Sequence, residues 1–376
     1  MTMLTKKLPQ AKIGSTAERV MTLTALCGEM PTDLTARLPG SQDYMRHVIA
    51  RLKKDRLLMS YSHNSLRGYR LTDLGKKSLL AISSGRFEAI FSGETFTNAP
   101  SYKITYRLRL HRLAEVLVTM LGAGVVSFPW EKPNLALNEM LELDRATYYS
   151  AVEVKGIGLQ GNKIRGSRAT GLLLTDDAVT TVYNIGSTEE VRWDYRAEMR
   201  LKAFAQIELM QNRLALPYQD EQLRAIVFAA DMRQFAVLMD NTRQLKSGFF
   251  AFSGDYQHFH FLTNDRKGET ILRLLCDSGR KSVLDGVLSE DLAPAVPDWQ
   301  TENDGFTADG LPVLFGYTCD MPRIRRFDNA LDTHGLRGTL ICFDFQEQAL
   351  RKVCGDRITL QSLDFEAVEA LLKEQK

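Results

Sequence analysis

Three short runs of this 376-residue chain carry residue types that could do chemistry. In His258-Phe259-His260 the imidazoles stand two positions apart, so on a strand both rings share one face with Tyr256. Such a pair can hold a divalent metal beside a tyrosine nucleophile. The only tyrosine downstream is Tyr317, in Gly316-Tyr317-Thr318, and it lacks a helical YxxK setting, so an ordinary, partly buried strand is the better reading. Glu153-Val154-Lys155, read at the end of a strand from Tyr148 to Lys155, offers a metal-binding carboxylate and a lysine near an attacking water. That chemistry needs a further acid on a neighbouring strand. Asp144 precedes the run and Asp176 follows it, and on a strand edge Glu and Lys are also simply solvated. Gly156-Ile157-Gly158-Leu159-Gln160-Gly161 has the GxGxxG spacing, yet Asn162-Lys163-Ile164-Arg165-Gly166-Ser167-Arg168 leads to another strand, with no helix N-terminus to face a pyrophosphate. It reads as a flexible basic loop whose Lys163, Arg165 and Arg168 are available to phosphate.

A fourth group is suited to binding. Ser41 caps a helix in which Met45, Val48, Ile49 and Leu52 form the apolar face. Gln42, Tyr44, Arg46, His47, Arg51, Lys53 and Lys54 then point elsewhere. A DNA major groove admits one helix, where Gln reads adenine and Arg reads guanine while lysines hold phosphates. After Asp55-Arg56, the strands Leu57 to Tyr61 and Leu66 to Leu71 flank a polar turn at His63-Asn64-Ser65. Arg67 and Arg70 on this hairpin are placed for phosphate or a minor groove.

These residues need a frame, and the punctuation supplies one. Ser15-Thr16-Ala17-Glu18 is a capping box opening a helix to about Cys27, with Val20, Leu23 and Cys27 on its buried stripe. Pro31-Thr32 opens a short second helix from Asp33 to Leu38, Pro39-Gly40 ends it, and Thr72 caps a helix after the hairpin. Three helices and a hairpin make residues 1–84 a winged helix-turn-helix. Residues 85–105 read as a linker, and 106–218 as an α/β domain opening with a helix over Arg107 to Leu121. The remainder, 219–376, reads as a C-terminal α/β region continuous with it. Overall the expected class is α+β or α/β.

Composition sets the outer bounds. The chain is 44% hydrophobic and 25% charged, ordinary for a globular protein. No apolar run approaches a membrane span and the N-terminus lacks a signal-peptide core, so a cytoplasmic protein is expected. The five cysteines are scattered without CxxC or CxH spacing and read as small core hydrophobes. The net charge of +2 conceals a polarity: residues 1–112 hold 19 Lys and Arg against 8 Asp and Glu, a balance expected where the N-terminal part meets a polyanion.

The run Tyr69-Arg70-Leu71-Thr72-Asp73-Leu74-Gly75-Lys76, followed by Leu110-His111-Arg112-Leu113-Ala114 and then a hairpin, a helix and a strand, resembles the plasmid replication-relaxation family of mobile genetic elements. That resemblance implies a winged helix joined to a restriction-nuclease-like α/β domain. It also implies an acid on the first hairpin strand and an acidic pair on the second. Here the strands read Gly171-Leu172-Leu173-Leu174 and Thr181-Val182-Tyr183-Asn184, without a carboxylate, so the implied fold has lost its catalytic acids. Ser167 to Asn184, with Trp193 and Glu198, is also similar to uncharacterised proteins of integrative elements.

The expected function is sequence-specific binding of duplex DNA for a plasmid or integrative element, in replication, DNA processing or transcriptional control, without catalysis and without a cofactor. Homodimerisation would suit paired half-sites. Two alternatives stay open. One is a metal-dependent nuclease or relaxase, with Glu153, Lys155, His258 and His260 as catalytic candidates and a divalent metal as cofactor; the other is a ligand-responsive winged-helix regulator.

Overall fold

The computed structural model describes residues 11–92, 97–98, 101–137, 139–157, 164, 166–188, 191, 193–216, 219–244, 249–250, 252, 254–296 and 299–374. The chain is mixed α+β and divides into two compact units, Met1–Val118 and Thr119–Lys376.

In the first unit α1 (Thr16–Cys27) begins where Ser15 accepts a hydrogen bond from the Glu18 amide, while the Glu18 carboxylate takes the Gly14 amide. Val20, Leu23 and Cys27 are buried as the periodicity predicts. The short second helix is a 3₁₀ turn (Asp33–Arg37) that buries Leu34. Next, α2 (Gln42–Lys54) starts at Ser41, whose hydroxyl accepts the Tyr44 amide, and buries Met45, Ile49 and Leu52. Strand β1 (Met30–Pro31) pairs with β3 (Leu66–Leu71), which pairs in turn with β2 (Leu58–His63), all antiparallel. Asn64 and Ser65 close the β2–β3 hairpin with φ of 48° and 63°, the left-handed geometry of a two-residue hairpin turn.

Helix α3 (Asp73–Ile82) is capped by Thr72, which accepts the Gly75 amide. Gly75 leaves no room for a side chain: a Cβ there would lie 2.2 Å from the Leu57 carbonyl oxygen. Residues 85–105, read from sequence as a linker, include most of a further helix, α4 (Ser84–Phe91). Its Phe87 is fully buried, and this single apolar anchor is too little periodicity to see in sequence. Helix α5 (Ile104–Ala123) follows, and the division between the units falls within it.

The second unit holds two five-stranded sheets. In the first, β4 (Thr147–Ser150), β5 (Gly171–Leu174) and β6 (Val179–Gly186) form an antiparallel meander, and β7 (Leu223–Ala229) and β8 (Phe259–Thr263) extend it in parallel. Strands β5, β7 and β8 are near-continuous apolar runs, as expected when both faces are covered. Between them lie α6 (Ala151–Lys155), α7 (Tyr195–Phe204) and α8 (Arg233–Gln244), and after β8 come α9 (Arg266–Cys276) and α10 (Ser278–Ser289).

The second sheet runs β13-β12-β11-β10-β9. It comprises the short β9 (Ala293–Pro294) and β10 (Gly305–Phe306), then β11 (Pro312–Phe315), β12 (Gly338–Phe343) and β13 (Ile358–Leu363), the last three parallel. Helices α11 (Met321–His334), α12 (Asp344–Leu350) and α13 (Phe365–Glu374) complete the unit.

One strand expectation is corrected here. The strand read from Tyr148 to Lys155 ends at Ser150, because Ser150 and Glu153 form a capping box that turns the chain into α6. Phe249 makes a single bridge with Asp194, while Phe250 and Phe252 enter an aromatic core around Trp193 and Phe259.

Candidate functional site

On α2 the apolar stripe fixes which side chains face outward. Gln42, Tyr44, Arg46, His47, Arg51, Lys53 and Lys54 are all exposed, as is the capping Ser41. Tyr44 is 50% exposed, its ring lying over Gly40. Two acids temper the cationic face: Arg46 Nη1 lies 2.8 Å from Asp43 Oδ1, and Arg51 Nε lies 3.7 Å from Asp55 Oδ2. Both pairs are solvent-exposed, a setting in which an ion pair is worth at most about 1 kcal/mol, so a phosphate can compete for either arginine. On the hairpin Arg67 is exposed beside the turn.

Arg70 is a correction. Expected to meet nucleic acid, it is 8% exposed and turned inward, with Nη2 2.6 Å from Glu29 Oε2. Glu29, wholly buried, also takes Arg107 Nη2 at 2.5 Å and His111 Nε2 at 2.8 Å. Burial by itself pushes the Glu29 carboxyl up, but hydrogen bonds from His111, Arg107 and Arg70 hold it down at about 2. Arg107, also fully buried, donates further to the carbonyls of His63 and Leu66, which flank the hairpin turn. Both guanidiniums lie over the Tyr61 ring, Arg70 at 4.0 Å and Arg107 at 4.6 Å. The hairpin that presents Arg67 is therefore clamped from behind by α5. Arg107, at the start of the helix the sequence predicts, is part of that clamp.

In the second unit Glu153 and Lys155 sit in α6 rather than at a strand end. Glu153 Oε2 accepts the Ser150 amide at 2.8 Å and its Oε1 meets Lys132 Nζ at 2.9 Å. A helix cap and a buried lysine thus occupy that carboxylate. Neither Glu153 nor Lys155 is among the residues lining the large cavity of this unit, whereas Asp144 and Asp176 are. Most of the glycine loop lies outside the described residues (158–163 and 165), including Lys163 and Arg165.

His258 and His260 do come together at that cavity. Their rings are parallel with centroids 6.3 Å apart. A bridge from β8 to the chain entering α11 sets Asp320 beside them. His258 Nδ1 is 2.6 Å from Asp320 Oδ2, and the Phe259 amide donates to Asp320 Oδ1 at 3.2 Å. Burial pushes the Asp320 carboxyl up, but the His258 hydrogen bond and the charges of both imidazoles bring it to about 2. Burial lowers His260 to about 4, against a rise from Asp320, so its ring is neutral near pH 7, and its Nδ1 has no hydrogen-bond partner among the described residues.

Tyr256 does not join this pair; it is buried in the core with its hydroxyl 3.2 Å from that of Thr181. Tyr317 donates to Asp285 at 2.5 Å. Among the described residues no group of three or more His, Cys, Asp or Glu side chains is placed to hold a metal ion. Nor is any described helix long and apolar enough to cross a membrane.

Sequence reading missed Glu29 and Asp320. Each stands 41 or more residues from the partners it organises, so no local spacing announces it. Ser150-Ala151-Val152-Glu153, by contrast, carries a local capping-box pattern that reveals α6, although the run reads as strand. Comparison with known proteins finds no family model, no curated protein and no solved structure that matches this chain.

Proposed function

We propose that this chain is a sequence-specific, non-enzymatic duplex DNA-binding protein whose first unit acts as a winged helix-turn-helix. One observation carries the reading: the outer face of α2 presents Gln42, Arg46, Arg51, Lys53 and Lys54 to solvent on a helix anchored by Met45, Ile49 and Leu52. A cationic helix with a rigid apolar back is the element that enters a major groove, where base edges are read by Gln and Arg and phosphates are held by Lys. Arg67, on the clamped hairpin, then reaches the flanking backbone. The N-terminal concentration of basic charge supports the same partner. The resemblance in Tyr69 to Lys76 favours a plasmid or integrative element as the setting, in replication, DNA processing or transcriptional control. Two half-sites read by a homodimer would supply the specificity.

The test is selection of bound duplexes from a random library, followed by fluorescence anisotropy on the winning sequence and a scrambled one. A specific site should emerge, with affinity falling as salt rises by about 0.9 log units per log unit of salt for each phosphate neutralised. Binding that is undiminished in an Arg46→Ala, Lys54→Ala double variant would show that α2 does not read the DNA.

A further inference from the structure

We propose that the cavity of the second unit is a binding site for a phosphorylated small molecule of nucleotide size. The cavity measures about 1220 Å³, somewhat above the ~300–1,000 Å³ of ordinary ligand pockets. Its wall brings together five guanidiniums, Arg145 and, from four different elements, Arg224 of β7, Arg273 of α9, Arg280 of α10 and Arg323 of α11, together with Lys281, Lys373 and seven carboxylates. His258 and His260 of β8 complete the polar surface, and Leu121, Val125 and Leu274 give it an apolar side on which a heterocycle can rest.

Carboxylates hold three of these arginines in place without exhausting them. Arg224 meets Asp177 at 2.9 Å, Arg280 meets Asp277 at 2.9 Å, and Arg323 spans Glu302 at 2.6 Å and Asp304 at 2.7 Å. A guanidinium has five N–H donors. The side-chain hydrogen bonds among the described residues use two on each of these three, and one on Arg273, which donates only to the Gly122 carbonyl. The unused donors form the planar, bidentate fork that suits phosphate oxygens.

Two groups of the wall are disfavoured as cations, chiefly by burial and then by neighbouring positive charge. Arg273 is lowered, first by burial and next by the charge of Arg280. Arg224 and His258 similarly disfavour a proton on His260, after burial itself. His260, more than nine-tenths buried, has no partner for Nδ1 among the described residues, which leaves the hydrogen bonding of the wall there incomplete. His258 is the adaptable member: with Nδ1 fixed on Asp320, its Nε2 is left for a ligand. Arginines, a carboxylate-backed histidine and a short apolar surface together match a charged phosphate tail attached to a ring. They do not match a lipid or a neutral metabolite.

This inference is independent of DNA reading by α2, and its test keeps the two apart. The intact protein is titrated calorimetrically with inorganic pyrophosphate, then with ATP, GTP, CTP and UTP, each without added DNA. Pyrophosphate should bind saturably at one site per chain, at least one nucleotide should bind more tightly, and that nucleotide should displace it. Arg273→Gln and His258→Asn should each weaken binding about tenfold or more, while circular dichroism and the affinity for the selected duplex stay unchanged. The inference is overturned if the folded protein shows no saturable pyrophosphate binding at millimolar concentration, or if both variants bind as the parent does. It is likewise overturned if only a 5′-phosphorylated oligonucleotide binds and the free nucleotides do not, since the cavity would then hold a strand end.

Discussion

Arg107 and Glu29 meet with neither side chain exposed to solvent, 2.5 Å apart, although 78 residues separate them in the chain. The pair ties α5 to the residue that precedes β1, and through the carbonyls that Arg107 also holds it sets the β2–β3 hairpin. A buried carboxylate shared by two arginines and a histidine is stable only while every partner is present.

Glu29→Gln should therefore cost roughly 3–5 kcal/mol, because it leaves two guanidiniums buried without a counter-charge. Urea denaturation followed by circular dichroism measures it. A loss below about 1 kcal/mol would show that the arginines find water or other acceptors instead.

The same carboxylate predicts acid sensitivity. Glu29 is lowered from 4.5 to about 2 on folding, so its contribution is complete above about 4.5 and disappears as the pH falls towards 2. The unfolded chain binds the proton first over that window, and the stability lost is on the order of 3 kcal/mol. Asp320 acts in the same direction in the second unit. Denaturation midpoints measured from pH 5 down to pH 2 should fall for the parent, and fall less for Glu29→Gln.

His260 works at higher pH. It is lowered from 6.5 to about 4 by burial, so folding requires its neutral form, and stability should decline as the pH drops from about 6.5 to about 4 and then level off with respect to this group. His260→Gln should remove that part of the pH dependence. An unchanged slope between pH 6.5 and 4 would mean the ring takes up its proton without cost.

Arg67 and Arg70 stand three residues apart on one strand and should respond oppositely. Arg67→Ala should weaken DNA binding and reduce the salt slope by about 1 with little change in stability. Arg70→Ala should destabilise the first unit, since it removes a partner of Glu29. If Arg70→Ala left stability intact and lost only DNA affinity, the clamp would be misassigned.

Supercoiled plasmid incubated with the protein and Mg²⁺ or Mn²⁺ should remain supercoiled. Nicking that disappears in Glu153→Gln or His258→Ala would establish the metal-dependent alternative and displace the non-enzymatic reading.

Local chemistry made much of the frame legible. Ser15, Ser41 and Thr72 each cap the helix their position announced, because an N-cap bond spans only three residues. The apolar stripe of α2 fixed its outward face for the same reason, and the hairpin strands Gly171 to Leu174 and Thr181 to Asn184 were visible as strands. Helix α4 and the turn from β4 into α6 escaped, the first for want of periodicity and the second because a valine-rich run also reads as strand.

Sequence by itself thus determined the segments bounded by caps, turns and periodic apolar residues, and the direction in which a helix with one clear stripe faces. The three-dimensional packing alone decided which charges would be used up: Arg70 and Arg107 on Glu29, and His258 on Asp320. An ionic or hydrogen-bonded contact is short-ranged in space and indifferent to separation along the chain, so residue spacing does not record it. Only the folded backbone brings such partners within about 3 Å.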